Sequence, residues 1–343
     1  MSETKIKIKN SEAEIEGEVP WKTLERHKSE VLEELRQEFA APGFRKGHVP
    51  MAVFVGHVDE HHVLEDAAER ALQDAYPLLI EEHKLEALGR PEVTITKLAA
   101  GNPLGFRIRV GVVPEVKLPN YLKIAKEAVA TVAAAEVTPE EVEKVISELR
   151  GLRREKDAPA DAPLPELTDE FVKTLGAFES VEDFRTKLRE NLMLEKENEK
   201  TRERREKIAA ALGEKTKMTL PAGFLDMEAQ AMQERLVADL AKAKISMEDY
   251  LAKMKKTPEE LLAEHRGWAE RQMQTRFILD AIAKAENLTA DPEELAMEVH
   301  HLRQQHSQAD PSALKHYAET LLRNEAVLKF LESGGVTSSQ PKK

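Results

Sequence analysis

The sequence predicts a multi-domain chain, an α+β N-terminal domain followed by an elongated all-α region, and three observations carry that prediction. Apolar residues alternate at a period of two near both ends of residues 1–116, and they recur at spacings of three and four almost everywhere beyond Glu166. Between the two regimes lies the stretch from Asp157 to Pro165, whose three prolines sustain neither a helix nor a central strand. A chain of 343 residues has room for two or three domains of ordinary size.

From Lys5 to Val19 one side carries Ile6 and Ile8, then Ala13, Ile15, Gly17 and Val19, which predicts two short strands joined at Asn10 and Ser11 and stopped by Pro20. Trp21 to Ala40 reads as a helix with Leu24, Lys28, Val31, Leu32, Leu35 and Phe39 along one stripe, ended by Ala41, Pro42 and Gly43. A second helix is expected over Glu60 to Leu88, with Val63, Leu64, Ala67, Ala71, Leu72, Ala75 and Leu79 facing inward. Strands return at Glu92 to Leu98 and Gly105 to Val113, around a turn at Ala100 to Pro103. This pattern makes residues 1–116 one α+β domain.

Residues 117–165 read as a connector: an extended Ala/Val stretch from Leu118 to Val137, a helix capped at Thr138 to Glu141 that runs to about Lys156, and the proline-rich turn. Residues 166–332 read as helical. Phe171, Val172 and Leu175 begin the pattern, Val181, Phe184, Leu188 and Leu192 continue it, and Glu195 to Lys207 is nearly all charge. That charged run predicts either a solvated helix held by i,i+4 ion pairs or an arm between lobes. Leu225, Ala229, Met232, Leu236 and Leu240 mark a third helix, and Leu261, Leu262, Trp268, Met273, Phe277 and Ile282 a fourth. Two more follow at Leu295 to Leu302 and Leu314 to Leu331, and residues 333–343 read as a disordered tail.

Composition narrows the function classes. With 63 acidic side chains against 51 basic ones the net charge is −12, which disfavours broad binding to nucleic acid, DNA included. No stretch approaches the roughly 20 apolar residues of a membrane span, and Met1 to Lys5 lead into charged alternation, so a cytosolic chain is expected. The sequence contains no cysteine, which removes disulfides, thiolate nucleophiles and Cys-ligated metals. No phosphate-binding glycine loop or nucleophile elbow is present, and no cofactor is called for.

One segment invites a functional reading. Between the two helices of the first domain, Gly43 and Gly47 permit positive φ and Pro50 fixes the exit, so Phe44, Arg45 and Lys46 should stand out at a tight tip. An aromatic beside two cations can fill an apolar notch while engaging phosphates or carboxylates. The alternative is an ordinary surface loop with Phe44 folded into the core.

Gly43-Phe44-Arg45-Lys46-Gly47 followed by Val49-Pro50 resembles the ribosome-docking signature of the bacterial trigger factor family. The resemblance covers most of the chain: Val113-Pro114-Glu115-Val116 is similar to the end of that family's N-terminal domain, Leu164 to Val172 to the start of its C-terminal domain, and Ser180 to Leu192 continues it. It implies a ribosome-associated chaperone that docks on the large subunit, at protein and rRNA of the exit site, and cradles unfolded nascent polypeptides between helical arms. Full-length members carry an FKBP-type peptidyl-prolyl isomerase domain after the connector helix. Such a domain needs roughly 100 residues, and only Gly151 to Leu164 is available, without an aromatic residue to line a proline pocket. A short form without that domain is therefore expected, and with it no enzymatic activity.

Client contact is expected along a region containing Phe224, Leu225, Met227, Met232, Leu236, Met247 and Met254, because methionine adapts its shape and apolar burial does not read sequence. Packing in the helical core is the competing role for each. An apolar cradle can also pair with a second copy, giving a homodimer. A free cytosolic holdase or scaffold that never meets the ribosome is the second reading of the chain. A remote third is a zinc peptidase, since His57, Glu60 and His61 spell His-x-x-Glu-His; Asp59 as an N-cap would leave His57 outside the helix. His300, His301 and His306, near Glu298, lack a convergent i,i+4 spacing and read as surface histidines.

Overall fold

The computed structural model describes residues 4–153 and 164–336, so most of the proline-rich turn and the last residues of the tail lie outside the described residues. Contacts group the chain into two compact units, Met1–Lys117 with Lys217–Phe277, and Leu118–Thr216 with Ile278–Lys343. Each is therefore built from two separated pieces of sequence.

The first unit begins with the antiparallel hairpin of β1 (Lys5–Lys9) and β2 (Glu12–Val19). Asn10 and Ser11 both sit at positive φ, 52° and 59°, the twist that a two-residue hairpin needs. Helix α1 (Trp21–Glu38) buries Leu24, His27 and Val31, while Lys28 reaches out to Glu60. It stops two residues before the expected Ala40, because Phe39 turns to extended backbone. After α2 (Met51–Phe54) and a 3-10 turn at Val55–His57, α3 (Glu60–Glu82) starts on the Asp59 cap and ends well before Leu88. Lys84 at φ 52° reverses the chain, and Leu88 already belongs to β3 (Ala87–Lys97), which pairs with β4 (Leu104–Val112).

The sheet order is β1-β2-β4-β3, all antiparallel. Ile15, Leu104, Phe106 and Ile108 meet Leu24, Val31, Leu64 and Leu79 of α1 and α3 in the core. The alternate residues of β2 and β4 face solvent as an ion-pair ladder, Arg107 to Glu16 at 2.7 Å and Arg109 to Glu14 at 2.8 Å. This alternation keeps one face dry and the other wet, as a half-covered antiparallel sheet requires.

Beyond β4 the chain is helical: α4 (Tyr121–Ala130), α5 (Pro139–Leu152), α6 (Asp169–Leu175), α7 (Val181–Lys215), α8 (Ala222–Lys242), α9 (Met247–Met254), α10 (Pro258–Glu286), α11 (Pro292–Gln305) and α12 (Pro311–Glu332). Within the first unit α8 seats its start on the sheet. A Cβ at Gly89 would lie 3.1 Å from the Met227 methyl, and one at Gly111 would lie 3.0 Å from the Pro221 ring, so glycine is what lets the helix approach.

The second unit is all-α. The expected extended connector contains α4, whose N-terminus is capped by Asn120 accepting from the Lys123 amide at 3.1 Å; buried Ala125 and Ala128 supply its packing face, and this packing overrides the Val-rich appearance of the stretch. The capping box at Thr138 and Glu141 forms as the sequence predicts. Val142, Ile146, Val172 and Phe184 join α5, α6 and α7 in one cluster, and Leu302, Leu314 and Ala318 join α11 to α12. The charged run is the middle of one 35-residue helix, α7.

Candidate docking site

The loop between α1 and α2 is built from two tight turns on a packed base. The Phe44 amide donates to the Ala41 carbonyl at 3.1 Å and the His48 amide to the Arg45 carbonyl at 2.9 Å. The Gly47 amide donates back to the Phe39 carbonyl at 3.1 Å, closing the loop at its neck. Gly43 and Gly47 take φ of 87° and 79°, and a Cβ on Gly47 would stand 3.0 Å from the Gln37 carbonyl oxygen. The neck is therefore a place where glycine is required twice over.

Below the neck, Phe39 packs edge-on against Phe54 at 5.1 Å between centroids and lies 5.6 Å from His57, while Val49 and Phe54 are buried. Arg36 donates to the Val49 carbonyl at 3.2 Å and forks onto Glu33, whose carboxyl it holds below the usual carboxylate range mainly through that hydrogen bond. Above it everything points outward. Phe44 is 44% exposed, so it is not folded into the core, and Arg45 and Lys46 are exposed. Among the described residues neither cation has an ion-pair partner. Leu35, Met51, Val53 and Val55 add exposed apolar surface around the tip.

The other sequence candidates fall apart. His57 lies in the 3-10 turn with Nδ1 2.8 Å from the Val53 carbonyl, Glu60 is held by Lys28 at 2.6 Å, and His61 pairs with Glu65. No group able to hold a metal occurs among the described residues. His300 and His301 are hydrogen bonded to Gln304 and Gln305 on their own helix surface.

Of the client-region residues, Leu225 is buried, Phe224, Met227, Met232, Leu236 and Met247 are half-buried, and Met254 is 45% exposed. Phe224 and Met227 share one cleft of about 390 Å³ with Leu88, Arg90, Glu92, Arg109, Val110 and Pro221. Sequence reasoning passed over the exposed Val237, Ile245 and Trp268, because spacing reports which residues recur and not which face meets a neighbour.

A family model described as bacterial trigger factor protein matches residues 1–149, and the model of the trigger factor C-terminus matches residues 180–332. The chain belongs to the bacterial trigger factor family. Trigger factor of Frankia casuarinae is 26% identical over 413 aligned positions, covering 96% of this chain and 84% of that one. Trigger factor of Carboxydothermus hydrogenoformans is 24% identical, covering 94% and 95%. The alignment with the Frankia protein is longer than this 343-residue trigger factor, so the relative holds stretches that this chain skips. A solved structure reported for promiscuous substrate recognition in folding and assembly activities of the trigger factor chaperone shares the fold, with TM-score 0.58 at 14% identity over 96% of this chain and 99% of that one. This trigger factor is a ribosome-associated chaperone, and the comparisons give the zinc peptidase alternative no support. Among the described residues no helix is long and apolar enough to cross a membrane.

Proposed function

We propose that this trigger factor docks on the large ribosomal subunit beside the peptide exit through Phe44, Arg45 and Lys46, and shields apolar segments of nascent chains in the cytoplasm without ATP. The observation that carries the reading is the tip itself: an exposed aromatic and two uncompensated cations on a rigid, double-glycine neck, in a chain of net charge −12. Arg45 and Lys46 suit rRNA phosphates or carboxylate side chains, and Phe44 suits an apolar notch that fixes the register. Docking raises the local concentration of chaperone around each emerging chain, so individually weak contacts suffice to hold it.

Residues 1–116 then serve as the docking module, 117–165 as a connector and 166–332 as the helical chaperone region, with 333–343 as a tail. The 30 residues between the two matched regions, 150–179, are too few for an isomerase domain of roughly 100 residues, which supports a trigger factor acting by binding alone. Off the ribosome, exposed apolar groups such as Met254, Val237 and Trp268 favour client contact or pairing with a second copy.

Ribosome co-sedimentation over a salt series tests the reading, with the wild type set against a Phe44→Ala, Arg45→Ala, Lys46→Ala variant. Wild-type protein should pellet with ribosomes and be released as salt rises, since screening weakens exposed charge contacts, while the variant stays in solution. Equal behaviour of the two would leave the free-holdase reading in its place.

A further inference from the structure

The docking loop carries one more exposed side chain beside Phe44, Arg45 and Lys46. His48 follows the neck glycine, and its amide, donating to the Arg45 carbonyl at 2.9 Å, closes a four-residue turn that brings the two α-carbons within about 7 Å of each other. Gly47 lies inside that turn at φ 79°. Arg45, Lys46 and His48 therefore stand on one short turn, and all three are exposed.

The fold makes no use of this ring. Among the described residues the His48 imidazole has neither a hydrogen-bond nor an ion-pair partner. Most acids that flank the loop along the chain are committed elsewhere: on α1, Glu33 to Arg36 and Glu34 to Arg70, and at the start of α3, Glu60 to Lys28 and Asp59 to the His61 amide. Glu38, exposed at the end of α1, makes no bond to His48. Nearby His57 differs, because its Nδ1 donates to the Val53 carbonyl at 2.8 Å and its ring lies 5.6 Å from Phe39, below the neck. His57 belongs to the base of the loop, and His48 is free near its tip.

We infer that His48 is a third, proton-dependent cation of the dock, so that attachment to the ribosome tightens as pH falls. An imidazole changes charge between about pH 5 and about pH 8, whereas the guanidinium and ammonium groups beside it stay positive throughout. The anions that Arg45 and Lys46 suit, rRNA phosphates or carboxylates, stay negative above about pH 6. An anion laid across the tip therefore favours the imidazolium over the neutral ring. By linkage, a proton taken up at His48 strengthens the binding of that anion. Arg45 and Lys46 attract the partner at every pH, and His48 adds an increment that follows the acidity of the surroundings. The inference rests on the docking reading and gives that site a regulation.

Titration of the full chain against ribosomes at fixed salt and magnesium, between about pH 6 and about pH 8, tests it. Wild-type affinity should rise about threefold toward the acid end, the scale of one exposed charge contact. His48→Gln, neutral throughout, should keep the wild type's alkaline affinity at every pH, and His48→Lys, charged throughout, its acid affinity. His57→Gln should retain the wild-type slope, which separates His48 from the other histidines of the chain and from the ribosome's own titration. Both His48 variants should keep the wild-type circular dichroism spectrum, as for other surface changes. A wild-type affinity that is flat with pH, or a slope that survives in His48→Gln or vanishes in His57→Gln, overturns the inference and leaves docking intact. If the Phe44→Ala, Arg45→Ala, Lys46→Ala variant binds as tightly as the wild type at the alkaline end, the docking reading falls and takes the inference with it.

Discussion

The docking loop and the middle of α7 carry similar charge and use it oppositely. In α7, Lys196 reaches Glu141 at 2.6 Å, Lys200 and Lys207 share Glu203, and Arg205 forks onto Glu325 at 2.8 Å and touches Glu332 at 3.1 Å. Every one of those cations is committed within the second unit. At the loop tip, Arg45 and Lys46 have no such partner among the described residues and stand beside an exposed ring. Charge that a fold consumes holds helices together, whereas charge that a rigid loop keeps free is available to another molecule.

The largest expected effect separates binding from stability. Phe44→Ala, Arg45→Ala, Lys46→Ala should weaken ribosome affinity by about a hundredfold, nearly 3 kcal/mol, which a titration against salt-washed ribosomes would read. Its unfolding free energy should stay within about 0.5 kcal/mol of wild type, as for other surface changes. A variant that loses stability along with affinity would erase the contrast between the two regions.

Arg205→Ala should do the reverse. It takes the Arg205 cation from the Glu325 and Glu332 carboxylates of α12, 34% and 18% exposed, and leaves Glu325 only the weaker pair with Lys329 at 3.6 Å. A loss of about 2 kcal/mol is expected in urea unfolding followed by circular dichroism, with ribosome pelleting unchanged.

Next in size are the neck glycines. Gly47→Ala should cost about 1–2 kcal/mol, from left-handed backbone plus the contact with the Gln37 carbonyl, and Gly43→Ala less, because nothing stands within 4 Å of its Cβ. Trp21 packs against the core of the first unit, so its fluorescence during thermal unfolding would rank the two variants. If Gly43→Ala proved the worse, the neck would not be the rigid part.

The smallest effect concerns acid. The Glu141 carboxyl is held below its ordinary 4.5, first by the Lys196 side chain and then by the Thr138 amide. Because the folded value is the lower one, the unfolded chain takes up the proton first as pH falls. The contribution is whole above about pH 4.5 and is lost as pH drops toward the folded value. Melting temperatures between about pH 3 and about pH 6 should therefore decline more gently in Lys196→Ala than in the wild type.

Much of this was legible in the sequence. The Asn10-Ser11 turn, the Asp59 cap and the Thr138 capping box are local chemistry, and each formed where its residues stand. The loop was legible for the same reason, since two glycines and a proline restrict backbone locally. Leu118 to Val137 was misread as extended because β-branched residues obscure a short helix whose stability comes from burying Ala125 and Ala128. The end of α3 was overrun because Leu88 keeps the helical spacing by chance while Lys84 breaks the backbone.

The sequence by itself determined the α+β beginning, the helical remainder, the tight loop and, through its motifs, the family, whereas the exposure of Phe44 at that loop is read from the structure. Only the tertiary structure decided which distant segments pack together. Lys217 bridges to Lys117 and Phe224 and Met227 close over Gly89, so residues 217–277 share a compact unit with the sheet. It also decided that Leu225 is core while Met254 is surface, and that β3 slips register against β4 at two places. The physical reason is common to all three: periodicity and caps act within a few residues, whereas burial and strand pairing depend on what the rest of the chain brings alongside.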